Sequence, residues 1–172
     1  MKTLIDNKDN LTIKDITDET VRVKALIVNE NNEILLGYSF GEYQFPGGHV
    51  EGDEDLTIAL HRELLEETGM NVNTNGLKPF MLLEHLTKDW PHDGNNRLSK
   101  IYYFVVETKE EINLDKTNYT IEETIGNFEL RFIPLEYVEE LLVKNSEIAP
   151  KNKVMATEML EAIKEYQKLK AD

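Results

Sequence analysis

Apolar and polar residues alternate most clearly from Thr20 to Val28, TVRVKALIV, where Val21, Val23, Ala25 and Ile27 share one face. The run becomes fully apolar at its end, as a strand entering a core does. Asn29 to Asn32 supply turn residues before a second apolar run, Ile34 to Leu36, so the two read as a hairpin. Tyr43 to Phe45 forms one more short strand before Pro46-Gly47-Gly48 interrupts regular structure. Asp53-Glu54-Asp55 then open a helix that runs to Thr68, an acidic start favoured by the helix dipole, with Gly69 as the stop. Leu56, Leu60 and Leu64 form one flank of this helix and Ile58 and Leu65 nearly the opposite one, which predicts burial on two sides.

Lys78 to Thr87 and Lys100 to Thr108 read as two further strands separated by the polar loop Lys88 to Ser99, and Phe128 to Ile133 as another. Pro134 opens a helix to about Lys144, and Pro150 precedes a last one whose Val154, Met159, Ile163 and Tyr166 recur near helical spacing. That stripe suits a core or a homodimer seam equally. No repeat or linker divides the chain, so residues 1–172 are expected to form one domain, with 1–19 and the helix 151–169 packed on it as extensions.

Charge narrows the function. Lys and Arg number 19 against 33 Asp and Glu, a net charge of −14, and such a surface repels nucleic-acid phosphates. DNA or long RNA is therefore not an expected partner. The absence of cysteine removes thiol nucleophiles, disulfides and thiolate metal sites. The start, MKTLIDNKDN, lacks a secretory apolar region and no stretch is apolar enough to span a bilayer, so a cytoplasmic protein without membrane attachment is expected.

On the helix after the Pro-Gly-Gly turn, Glu63, Glu66 and Glu67 stand at i, i+3 and i+4 and crowd one side. Like charges at that spacing repel, more strongly where water is excluded. Arg62 alone cannot neutralise Glu51, Asp53, Glu54, Asp55, Glu63, Glu66 and Glu67. A hard divalent cation with oxygen ligands can, and Mg²⁺, with Mn²⁺ as a substitute, binds through a few carboxylates plus substrate phosphates. The plainer reading of such acids is a helix face turned to water. The preceding turn, the apolar flanks and the Arg beside Glu63 favour the cation.

Gly48, Glu54 after five residues, and Arg62-Glu63-Leu64-Leu65-Glu66-Glu67-Thr68-Gly69-Met70 after seven more match every specified position of the 23-residue Nudix box. The chain from about Thr20 to Lys144 thus resembles the Nudix hydrolases. The resemblance implies an α/β (α+β) fold, a mixed β-sheet sandwiched between α-helices, and metal-activated hydrolysis of a diphosphate linkage in a small nucleoside diphosphate derivative. Carried over by position, Glu66 and Glu67 are metal ligands, Glu63 a further ligand or proton acceptor, and the Gly47 carbonyl an added ligand. Arg62 orients Glu63, Glu54 supports the loop and helix, and Gly48 lets the loop turn closely against the helix.

Several members of the family also place a catalytic or metal-binding acid in a loop before a late strand, here Glu122 as a ligand or Glu123 as a catalytic group; the general base stays open between Glu63 and these two. Tyr43, where relatives often carry an aromatic, is a candidate to stack on a base, with a core role as the alternative. Trp90 and Arg97 pair an aromatic with a cation in one loop and are candidates for base and phosphate. His85 and His92 read as scaffold. Gly37-Tyr38-Ser39 stands where many nucleotide-hydrolysing relatives carry basic residues, a departure that disfavours triphosphate binding. A catalytically silent nucleotide-sensing domain on the same fold is the competing reading.

Overall fold

The computed structural model describes residues 1–171. A seven-stranded mixed sheet lies at its centre: β1 (Lys2–Asp6), β2 (Asp18–Val28), β3 (Glu33–Ser39), β4 (Glu42–Gln44), β5 (Met81–Thr87), β6 (Arg97–Glu107) and β7 (Glu129–Pro134). The order across the sheet is β1-β5-β6-β2-β3-β4, with β7 joined to β3. The longest seam is parallel, β2 on β6, and runs in register from Asp18 opposite Arg97 to Val28 opposite Glu107.

Alternation along β2 sends its side chains to two cores, because successive Cβ atoms leave opposite faces of a strand. Val23, Ala25 and Ile27 pack with Ala59, Leu60 and Leu64 of α1 (Leu56–Thr68), together with Phe104 and Val106. Leu26 and Val28 face the other layer, α3 (Leu135–Ile148) and α4 (Pro150–Ala171), through Val138, Leu142, Met159 and Ile163. Helices thus cover both faces, as a sheet with a parallel centre requires. A five-residue helix, α2 (Ile121–Ile125), leads into β7. Among the described residues no helix is long and apolar enough to cross a membrane.

Two packing expectations change. Ile58 is 55 % exposed, since α1 meets the sheet through one flank only and its outer side faces solvent. The stripe on α4 belongs to the core: Met159, Ile163 and Tyr166 are buried, whereas Val154, one turn in from the helix start, is 58 % exposed. A homodimer seam built from that stripe loses its apolar surface.

The first residues, weakly patterned in sequence, supply β1, which pairs in parallel with β5 and sets Asp6 opposite His85. His85 also meets Glu158 of α4 at 2.8 Å. The hydrogen bond to Glu158, outweighing the effect of burial, raises the His85 pKa above its ordinary value, and Asp6 adds to the rise. An imidazole whose folded pKa is raised contributes stability that is fully present below the unfolded value of about 6.5 and is lost as pH rises through the folded one. His85→Gln is therefore expected to lower the melting temperature more near pH 5.5 than near pH 8.5, about one unit below and two above that value. Equal losses at the two pH values in thermal melts of both proteins would remove the charged imidazole as the clamp.

Candidate active site

The turn Pro46-Gly47-Gly48 runs beside β2 like a short extra strand. Ala25 N–H donates to the Pro46 carbonyl at 2.8 Å and Val23 N–H to the Gly48 carbonyl at 2.9 Å. Gly47 has φ +124°, a backbone region that side-chain-bearing residues rarely enter. α1 starts beyond this turn with Asp55 as its N-cap residue, so the acidic trio Asp53 to Asp55 precedes the first turn rather than lying in it.

From α1, Glu63, Glu66 and Glu67 line a cleft of about 510 Å³. Glu122 and Glu123 line it from α2, together with Asn118 and Thr120, while Arg22, Lys24, His49 and Lys151 add basic side chains. Glu67 is the deepest acid at 4 % exposure. Its Oε2 accepts from Gly47 N–H at 2.9 Å. Burial is the main cause that pushes its pKa up, to about 8; Lys24 and the Gly47 N–H pull it down, and Glu123 and Glu63 push it further up. The Glu63 pKa is likewise raised, burial outweighing the guanidinium beside it. Glu123 is the N3 residue of a capping box whose N-cap is Thr120: its carboxylate accepts from Thr120 N–H at 2.6 Å, and its own N–H donates to the Thr120 hydroxyl.

Arg62 ties the acids together. Its guanidinium lies 2.6 Å from Glu54, 2.8 Å from Glu63 and 3.2 Å from Glu66, and it donates to the His49 carbonyl at 2.8 Å. Glu54 in turn accepts from Glu51 N–H at 2.8 Å, which closes the loop in front of the helix, and the Arg62 hydrogen bond lowers its pKa. Gly48 leaves room for Glu63 where it now stands: a Cβ there would lie 2.6 Å from both Glu63 carboxylate oxygens.

Among the described residues no three carboxylate or imidazole groups are already gathered at ligating distance of one another. The cause is visible in the pairing: Arg62 holds Glu63 and Glu66, and Glu67 binds the Gly47 peptide. The donor set still suits a hard divalent cation, because it consists of carboxylate oxygens, one of them on a buried glutamate repelled by its neighbours.

The three candidate substrate residues lie elsewhere. Tyr43 is 8 % exposed, tilts against Tyr38 with ring centroids 4.7 Å apart, and its hydroxyl accepts from Arg131 at 2.9 Å. Its ring is packed in the core and does not line the cleft, so the stacking expectation is corrected to a structural one. Trp90 and Arg97 line a separate cavity of about 280 Å³ between the sheet and α4, with Phe45, His85, Tyr103 and Glu158. Trp90 is 56 % exposed, and Arg97 Nε donates to Asp18 at 2.5 Å, so this guanidinium is not a free phosphate anchor. Arg22 and Lys24 line both spaces. Sequence reasoning missed Lys24; its signal is one cation inside the otherwise apolar run Val23 to Val28.

Curated relatives and solved structures add the following. An RNA pyrophosphohydrolase from Sulfurovum sp. (strain NBC37-1) is 36% identical over 89 residues, 47% of this chain and 53% of that protein. A tagatose 1,6-diphosphate aldolase from Staphylococcus haemolyticus is 29% identical over 116 residues, 67% of this chain and 33% of that protein. The chain thus spans between a third and about half the length of these curated relatives. The crystal structure of a mutator MutT protein from Bacillus halodurans superposes with a TM-score of 0.52 at 22% identity, over 71% of this chain and 72% of that one, a likeness of fold. The NUDIX domain family matches residues 18–154, which takes in the box, strands β2 to β7 of the sheet and both acidic walls of the cleft. By that match the chain belongs to the NUDIX domain family.

Proposed function

We propose that the protein is a Mg²⁺-dependent hydrolase that cleaves a diphosphate linkage in a small nucleoside diphosphate derivative. One observation carries the reading: Glu63, Glu66 and Glu67 face the same cleft as Glu122 and Glu123, with Arg22 and Lys151 also lining it. A divalent ion bound there screens phosphate oxygens and lowers the pKa of an attacking water. Glu66 and Glu67 would hold it, Glu63 would be either a further ligand or the group that takes the water's proton, and Glu122 and Glu123 would be the loop acids available for the same two tasks. Arg62 keeps Glu63 and Glu66 in place through contacts of 2.8 and 3.2 Å.

The remainder of the substrate enters the neighbouring cavity, which Trp90 and Arg97 line and which shares Arg22 and Lys24 with the cleft. Trp90 offers a ring face for a base, and Arg97, paired with Asp18, shapes the wall rather than neutralising phosphate. The net charge of −14 favours a small substrate over a long RNA, even though relatives named RNA pyrophosphohydrolase share part of the sequence.

The test is a substrate screen with products resolved: nucleoside triphosphates, ADP-ribose, dinucleoside polyphosphates, nucleotide sugars, coenzyme A and a triphosphorylated RNA, each with Mg²⁺ and with EDTA. A mono- or diphosphate product from a small nucleotide in Mg²⁺ alone is expected. Tight nucleotide binding with no product in any arm would select the silent sensing domain, and product from the RNA alone would overturn the substrate class.

A further inference from the structure

Beside the cleft, the cavity lined by Trp90 and Arg97 holds a carboxylate whose oxygens are only partly engaged. It belongs to Glu158 of α4, a side chain 10 % exposed. His85 Nε2 lies 2.8 Å from its Oε1, and the hydroxyl of the buried Tyr103 donates to its Oε2 at 3.4 Å. A carboxylate accepts about four hydrogen bonds, so roughly two places stay open, chiefly on Oε2, whose one partner among the described residues is distant. His85 is committed on its other side as well, with Asp6 3.4 Å from Nδ1. The trio of His85, Tyr103 and Glu158 therefore presents open acceptors and no spare donor. Asp6 and Glu158 both fall outside residues 18–154, the stretch shared with the family, so the two ends of this chain build this corner of the cavity.

A ligand that covers buried acceptors must bring N–H groups to them, because leaving them unpaired is costly. The cavity, about 280 Å³, is smaller than the roughly 300–1,000 Å³ of pockets that hold a whole ligand, which suits one ring system with its phosphates in the adjoining cleft. Trp90, Phe45 and Met155 supply apolar surface for the faces of such a ring. Among the common bases guanine alone sets two N–H donors side by side, on N1 and on the 2-amino group. Adenine, cytosine and uracil place an acceptor beside the donor, and a carboxylate repels it. Resting on the nucleotide-substrate reading above, we propose that Glu158 selects the base, accepting N1–H and the 2-amino group of a guanine-containing substrate. His85, with Asp6 behind it, keeps the carboxylate at the cavity wall.

The test is equilibrium binding of GMP, IMP and AMP to the full chain, read by calorimetry in Mg²⁺, with thermal melts of each variant as the folding check. These mononucleotides contain no diphosphate linkage, so affinity is read apart from turnover. IMP keeps N1–H and lacks the 2-amino group; the wild type is expected to bind GMP roughly 10-fold more tightly than IMP, the worth of one hydrogen bond to a charged group, and AMP more weakly still. Glu158→Gln, which offers one acceptor and one donor, is expected to bind GMP and IMP about equally. A wild type that binds none of the three or binds AMP as tightly as GMP overturns the proposal, as does a folded Glu158→Gln that keeps the full preference for GMP over IMP. If Glu158→Gln does not fold, the wild type decides through 1-methyl-GMP, whose blocked N1 is expected to weaken binding by roughly 10-fold or more, and affinity equal to that of GMP overturns the proposal. The substrate screen separates the two readings. Mg²⁺-dependent cleavage with no preference for guanine leaves the hydrolase standing and removes this role of Glu158; GMP binding that depends on Glu158, without cleavage of any small nucleotide, keeps the role and overturns the hydrolase.

Discussion

Glu67→Gln should lower turnover of whichever diphosphate the screen identifies by roughly 10²–10³-fold, the scale on which one stabiliser of developing charge is lost from an active site. The substitution is nearly isosteric, and the amide oxygen still accepts from Gly47 N–H, so the loop and the helix keep their geometry. What disappears is a carboxylate able to take a negative charge when a cation arrives. In the metal-free fold that charge is disfavoured: burial, Glu123 and Glu63 outweigh Lys24 and the Gly47 N–H, and the Glu67 pKa rises from 4.5 to about 8. A raised carboxyl pKa means that the folded state binds more protons than the unfolded one. Its contribution to stability is complete below pH 4.5 and is lost as pH rises through about 8. The permanently neutral glutamine therefore predicts a second outcome: without metal and above pH 8, the variant melts no lower than the wild type. Wild-type turnover in Glu67→Gln would remove it from the site; a large loss of melting temperature under those conditions would show that its charge is structural.

How much of this was readable beforehand depends on whether the signal is local. The α1 acids were legible because three glutamates at i, i+3 and i+4 fix their own direction once the helix forms. The strands of the central sheet were legible from alternation and apolar runs. β1 was not: KTLID is short, and its partner, β5, lies more than seventy residues away in sequence. The substrate residues depended on packing that no single segment encodes. Tyr43 turned inward because its ring meets Tyr38 on the paired strand and its hydroxyl meets Arg131 of β7. Arg97 lost its freedom through the parallel register, which sets Asp18 directly opposite it. Lys24 depended on the turn being fixed against β2, a contact made by backbone groups that carry no sequence signature.

The two glycines of the turn should fail in different ways when given a methyl group. At Gly47, φ is +124° and an added Cβ would stand 2.2 Å from the Val23 carbonyl oxygen, a backbone atom inside a paired strand that cannot retreat. Holding a side chain in such a region costs about 1–3 kcal/mol before the collision is added. Gly47→Ala is therefore expected to lower stability by more than that range and to detach the turn from β2, losing activity through loss of structure. At Gly48 no positive φ is required, and the methyl would meet the end of a flexible side chain, the Glu63 carboxylate at 2.6 Å. Glu63 can swing aside, at the expense of its 2.8 Å contact with Arg62. Gly48→Ala is thus expected to melt close to the wild type and yet turn over far more slowly, because the displaced carboxylate is one that the reaction uses. Chemical denaturation and turnover measured on both variants separate these outcomes. Similar stability losses at the two positions would show that the turn responds as one rigid unit, and a fully active Gly48→Ala would take Glu63 out of the reaction.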